Sequence, residues 1–264
     1  MNFASMSDSP FHIRHNAGFG ASKKIDALRV VDRAAYSHGM ATANSVRSCA
    51  AILVAAGSSR RMGFDKLSAP LGGVSVLRKT LDAFLAAESI AEIVIVCPLE
   101  RWQLIGENFS KPVRRVDGGE NRQDSVAAGL AALSLDARWV AVHDGARPLV
   151  SADDIDRCVA VARETRAAAL ARRVTETLKR TDTVDFTVES VSRELLWFME
   201  TPQVFEIPLL MDAYAEVMAR GWIVTDEVSA LEVIGVGVKL VESSHPNFKI
   251  TTPADLALAE ALLR

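Results

Sequence analysis

Arg60, Arg61 and Lys66 crowd into a short stretch directly behind an apolar run, in the segment ILVAAGSSRRMGFDK. An arginine fork and a lysine point charge suit phosphate oxygens. Ala55, Ala56, Gly57, Ser58 and Ser59 lack bulk, so their backbone N–H groups can come close to a phosphate chain. Yet the segment fits neither G-x-G-x-x-G nor G-x-x-x-x-G-K-[ST]. A second cluster, DGGENRQDS, brings Gly118, Gly119, Glu120, Asn121, Arg122, Asp124 and Ser125 together. A third, HDGARP, holds His143, Asp144, Gly145 and Arg147. A carboxylate such as Asp144, in a site that already holds phosphates, is a natural Mg²⁺ anchor; the competing reading is a strand-end turn or cap aspartate. His143, on an apolar run, is read as a packing or hydrogen-bonding residue.

The elements that must position these clusters alternate. Apolar runs AAILVAAG, EIVIVCP and WVAVHDG have the look of strands buried on both faces. PVRRVDGG is a further strand. SVLRKTLDAFLAAES, QDSVAAGLAAL and SADDIDRCVAVARETRA carry helical spacing, and a helical ERWQLIGEN is also expected. Thr252 before Pro253 marks the start of a last helix. Such alternation predicts an α/β fold with a Rossmann-like, mostly parallel sheet and helices on both faces. All three polar clusters then fall at carboxyl ends of strands, where ligands bind such sheets. Between about 171 and 192 the pattern becomes strand, turn, strand, which predicts a hairpin. It is too short to stand alone, so it either packs on its own domain or protrudes onto a second subunit.

The chain has 264 residues, a formal net charge of −3, 49% hydrophobic and 24% charged residues. These values exclude a global basic field of the kind nucleic acid attracts. No apolar run reaches membrane-spanning length, so a cytoplasmic protein with no membrane partner is expected. The three cysteines, Cys49, Cys97 and Cys158, show neither disulfide nor zinc spacing. Residues 1–48 differ in composition and are expected to be a disordered extension, or an upstream start with Met40 as the natural one. A transit peptide is the competing reading, and acidic residues within the segment weigh against it. The catalytic domain is expected over 49–264.

In chain order, AAILVAAGSSRRMGFDK, VDGGENRQDSV, VAVHDGARPLV, TETLKRT, ETPQVF, TDEVSALE and NFKITTPADLALAEALL resemble the methylerythritol-phosphate cytidylyltransferases. The resemblance runs from about Ala50 to the C-terminus. It implies transfer of CMP from CTP to 2-C-methyl-D-erythritol 4-phosphate with release of pyrophosphate. It makes Arg61 and Lys66 the pair that stabilises the transition state at the α-phosphorus. Ala55, Ala56, Gly57 and Ser58 would line the triphosphate; Gly119, Glu120 and Ser125 would surround cytosine and ribose. Glu120 replaces the family's common Asp, and Gly145, also at the nucleotide, stands where many members have Ala. Asp144 matches the metal-associated aspartate, which implies Mg²⁺ or another divalent cation. Thr177, Arg193, Thr225 and Lys249 match the positions that hold the methylerythritol phosphate. Thr177 and Arg193 would come from a partner subunit through the hairpin, which implies a homodimer. The alternatives are a ribitol-5-phosphate cytidylyltransferase, which shares the nucleotide half, or a nucleotide-binding regulatory module without turnover.

Overall fold

The computed structural model describes residues 49–57, 62–134 and 136–263, together with Arg14–His15, which pair antiparallel with Trp222–Ile223. The remainder of 1–48 lies outside the described residues, as do Ser58 and Arg61.

The frame is a seven-stranded sheet. Its strands are β1 (Cys49–Val54), β2 (Ile90–Val96), β3 (Val113–Val116), β4 (Trp139–Asp144), β5 (Ala167–Arg173), β8 (Trp197–Glu206) and β9 (Lys239–Glu242), in the order β9-β5-β8-β4-β1-β2-β3. Strands β6 (Leu178–Thr181) and β7 (Thr187–Val191) form a separate two-stranded hairpin. β1 pairs in parallel with β2 on one side and β4 on the other. The chain therefore winds outward through β2 and β3, then returns past β1. That reversal opens a crevice beyond the carboxyl ends of β1 and β4.

β1 shows why its sequence is a continuous apolar run. Cys49, Ala51 and Leu53 enter one core with α1 (Val76–Ala86) and α4 (Ala152–Thr165). Ala50 and Ile52 enter the other, with α3 (Arg122–Ala131), α5 (Ile207–Ala219) and α6 (Glu227–Val233). A strand covered on both faces has no solvent side to make polar. Gly129 lets α3 lie close on β1, because a Cβ there would stand 2.7 Å from Ile52 Cγ2. The helix starts are capped as their sequences suggest: Ser75 Oγ accepts from Arg78 N–H at 3.2 Å, and Ser151 Oγ from Asp154 N–H at 3.1 Å. At α7 (Pro253–Leu262), Thr252 Oγ1 accepts from Asp255 N–H at 3.3 Å, with Pro253 in the first turn.

Three elements differ from the sequence expectation. The helix over ERWQLIGEN shrinks to α2 (Leu99–Trp102). The first strand of the expected hairpin is β5, a member of the main sheet, so the hairpin ladder itself covers only β6 and β7. The ten-residue β8 runs antiparallel between β4 and β5 and makes the sheet mixed. Its register shifts between Met199 and Gln203, around Pro202. A proline inside the run hides a central strand, because proline cannot donate to the ladder.

Candidate active site

The last residues of β1 run into a cleft of about 710 Å³. Ala55 N–H still donates to Val96 O at 2.8 Å, so the sheet holds the start of the loop. Ala55, Ala56 and Gly57 line the cleft, and so do Lys66, Gly119, Glu120, Ser125, Asp144 and Lys249. The loop after β3 presses against the loop after β1. A Cβ on Gly118 would come within 2.3 Å of Ala56 Cβ, and one on Gly119 within 2.3 Å of Asp124 Cβ. Both positions therefore need glycine for close approach. The buried Ser125 Oγ accepts from Gly119 N–H at 3.1 Å and pins that loop to the first turn of α3. An α-helix N-terminus at the cleft adds a partial positive charge.

Asp144, the last residue of β4, is surrounded by cations. Lys249 Nζ donates to Oδ2 at 2.8 Å, Arg122 Nε to Oδ1 at 3.3 Å, and Arg147 Nε stands 3.7 Å from Oδ2. Burial opposes its charged form, but Arg122, Lys249 and Arg147 outweigh it and hold the carboxyl well below the usual carboxylate range. Arg122 reaches further: its Nη1 donates to Glu227 Oε1 at 2.5 Å. Glu227 is fully buried, and Tyr214 Oη donates to the same oxygen at 2.7 Å. Arg147 donates to Asn247 O at 2.7 Å and Met199 O at 3.3 Å, tying the end of β4 to β8 and to the 247–251 segment. Lys66 is held by the same segment. Its Nζ donates to Ile250 O at 2.7 Å, and Ile250 N–H donates to Ala146 O at 2.8 Å. Residues 249–251 thus link the basic loop to the Asp144 cluster.

His143 behaves as a structural residue. It is fully buried, with Nδ1 3.0 Å from Thr201 Oγ1 and Nε2 3.2 Å from Arg147 O, and burial pushes its pKa down to about 3. Gly145 lies behind the cleft wall and not on it. Its N–H donates to Val54 O at 2.9 Å, its carbonyl accepts from Thr80 Oγ1 at 2.9 Å, and an added Cβ would meet Leu77 Cδ1 at 3.0 Å. Thr177, Arg193 and Thr225 are exposed and do not line the cleft of their own chain. Arg193 donates to Thr175 O, and Thr225 Oγ1 stands 3.5 Å from Ser229 Oγ before α6. Arg122 and Arg147 stand in the polar motifs, but their types alone assign them no role. Glu227 is harder still to find, because a buried acid inside a polar TDEVS segment has no signature in the sequence.

A mixed α/β sheet, with a small-residue strand-end loop facing a cation-rich cleft at the strand-order reversal, defines a nucleotide-handling α/β protein of the nucleotidyltransferase kind. Comparison narrows the class. Residues 49–264 match the model of the IspD family, 2-C-methyl-D-erythritol 4-phosphate cytidylyltransferase. A protein of that name from Prochlorococcus marinus (strain MIT 9313) is 43% identical over 218 residues, 80% of this chain and 96% of that one. One from Caldanaerobacter subterraneus subsp. tengcongensis is 39% identical over 222 residues, 81% of this chain and 98% of that one. Among solved structures, the 4-diphosphocytidyl-2C-methyl-D-erythritol synthase of Anaerococcus prevotii DSM 20548 superposes with a TM-score of 0.74 at 29% identity, covering 84% of this chain and 99% of that one. The Thermus thermophilus cytidylyltransferase superposes with a TM-score of 0.67 at 33% identity, covering 81% and 98%. The chain belongs to the 2-C-methyl-D-erythritol 4-phosphate cytidylyltransferase family, and it is an enzyme of that class.

Proposed function

We propose that the cleft binds CTP along the 55–57 loop and transfers CMP to 2-C-methyl-D-erythritol 4-phosphate, releasing pyrophosphate. The observation that carries this reading is the cleft itself: small residues at the end of β1 share one cavity with Lys66, Lys249 and Arg122. The acceptor's phosphate oxygen attacks the α-phosphorus in line. A P–O bond forms there as the bond to the β-phosphate breaks. Charge builds on the equatorial oxygens, so positioning and fixed positive charge carry most of the catalysis. Lys66 supplies that charge, with Arg61 close to it in sequence. Lys249 and Arg122 add to it from beside Asp144. No general base is required, because a phosphate monoester dianion is already a nucleophile.

Asp144 is the metal candidate. Mg²⁺ takes one or two carboxylates and completes its shell with phosphate oxygens and water. No group of three or more His, Cys, Asp or Glu side chains suited to a metal occurs among the described residues. Asp144 is ionised, and with Lys249 and Arg122 already on its oxygens it would offer a metal at most one ligand, the phosphates supplying the rest. When bound, Mg²⁺ would neutralise phosphate charge. Gly119, Glu120 and Ser125 support the cytosine and ribose end, since they line the cleft where the chain enters α3.

Thr177, Arg193 and Thr225 complete the acceptor site in this reading, the first two from the hairpin of a second copy. The exposure of Thr177 and Arg193 and their place outside the cleft lining of their own chain support such a homodimer. So does the hairpin surface, where Val184, Phe186 and Val188 are 67%, 72% and 58% exposed. The enzyme is expected in the cytoplasm with its nucleotide substrate; among the described residues no helix is long and apolar enough to cross a membrane. Steady-state kinetics of Lys249→Ala test the acceptor assignment. The KM for the acceptor should rise while that for CTP changes less; an unchanged acceptor KM and kcat would remove Lys249 from the site.

A further inference from the structure

Arg101 is a buried arginine outside the cleft lining whose side-chain hydrogen bonds, among the described residues, go to the nucleotide loop. It sits in the single turn of α2, just past the carboxyl end of β2. Its Nη1 donates to Ala55 O, its Nη2 to Gly57 O at 2.8 Å, and its Nε to Asp65 Oδ2 at 2.8 Å. Asp65 also accepts from Ser68 Oγ at 2.5 Å and from Leu67 N–H at 3.2 Å, which fixes the turn that follows Lys66. One guanidinium therefore grips the loop as it leaves the sheet and again where it returns, one residue ahead of Lys66.

We propose that Arg101 is a positioning residue for cytidylyl transfer, which sets the spacing between the triphosphate-binding loop and Lys66. This rests on the function proposed above. Beyond Val54 the loop carbonyls have left the ladder. Facing a triphosphate they would repel it. Arg101 gives the carbonyls of Ala55 and Gly57 a partner outside the cleft lining. In a planar trans peptide the N–H points opposite to the C=O, so the Ala56 N–H is turned away from Arg101. The charge pair with Asp65 has a second effect. Burial opposes the Asp65 carboxylate, yet the bonds from Arg101 and Ser68 keep its pKa below the usual value, so the pair is neutral overall. Arg101 thus orders the loop without competing with Lys66 for the phosphates. Lysine has one ammonium and no planar fork, and it cannot make all three bonds at these angles.

The test is kinetics and CTP calorimetry on Arg101→Lys and on Asp65→Ala, which keeps the guanidinium and frees the far end of the loop. Displacing a reacting group by about 1 Å can cost on the order of 10²-fold in rate. The expected result is kcat/KM for CTP lower by about 10-fold or more in each variant, weaker CTP binding in Arg101→Lys, and an acceptor KM within about twofold of wild type. An Arg101→Lys protein that is soluble and folded with unchanged CTP binding and kcat/KM would overturn the proposal. So would an acceptor KM that rises as much as the KM for CTP, which marks a general structural role. If Arg101→Lys does not fold, Asp65→Ala decides by its kcat/KM for CTP, which should fall about 10-fold or more, against an acceptor KM that stays within about twofold; an unchanged kcat/KM overturns the proposal. A wild-type protein that releases no pyrophosphate would overturn the proposed function instead, and CTP calorimetry, which needs no turnover, still reads the Arg101 contact.

Discussion

Asp144 and Glu227 share Arg122, and that sharing ties the cleft to the buried core. Glu227 is fully buried and Arg122 mostly so, with Tyr214 donating to the same carboxylate oxygen. Removing one partner of a buried pair leaves the other charge uncompensated, which typically costs about 3 kcal/mol or more. Glu227→Ala should therefore lower the unfolding free energy by about that amount in urea titrations, whereas a change under about 1 kcal/mol would show that Arg122 re-pairs with Asp144 alone. Lys66→Ala is expected to lower kcat by on the order of 10², as loss of an oxyanion-type donor does, with little change in thermal unfolding. The cysteines make the opposite prediction. Burial pushes the thiol pKa of Cys97 up to about 11 and of Cys49 to about 12, and raises that of Cys158 further. The thiolate is the nucleophile, so between about pH 7 and 9 the folded protein should react negligibly with a disulfide reagent. All three thiols should react once it is unfolded. Lys66, Asp144 and Lys249, which line the cleft, are legible in the motifs, since a strand-end loop rich in small and basic residues has few other uses. Their anchors are not, because Arg101 and Glu227 look like ordinary surface charges until burial shows otherwise.

At the level of elements, the parallel strands are readable because burial on both faces leaves continuous apolar runs, as in β1, β2 and β4. β8 is not, since Glu200, Thr201, Pro202 and Gln203 interrupt its middle with polar and non-donating residues. Those polar groups are satisfied inside: Thr201 Oγ1 accepts from Asp144 N–H at 3.1 Å, and Gln203 Oε1 accepts from Glu227 N–H at 3.1 Å. The polar patch in β8 is thus the support for the end of β4 and the start of α6. The hairpin is visible as a departure from βα rhythm, but its root is not, because β5 and the first hairpin strand are nearly continuous in sequence. Its tip carries apolar side chains that one chain leaves exposed. In the proposed dimer, Val184→Ser with Phe186→Ser should sediment as monomer and lose most activity, since Thr177 and Arg193 would no longer reach the other cleft. A fully active monomeric double variant would contradict the shared site.

At the scale of the molecule, the strand order explains why one cleft collects residues 55–57, Lys66, the start of α3 and Asp144. β1 and β4 are neighbours in the sheet but far apart in sequence, so their carboxyl ends bring residues 55–57 and Asp144 to one crevice, which the loop after β3 and the start of α3 complete. The final crossing at 249–251 closes it through Lys66 and Lys249. Family membership gives the cytidylyltransferase class, and the acceptor is the more demanding claim. Pyrophosphate release by the purified protein with Mg²⁺, CTP and either 2-C-methyl-D-erythritol 4-phosphate or ribitol 5-phosphate tests it most directly. Release that requires both CTP and methylerythritol phosphate, one pyrophosphate per acceptor consumed, with ribitol 5-phosphate inert, is the predicted result. No release with methylerythritol phosphate, or faster release with ribitol 5-phosphate, would contradict it.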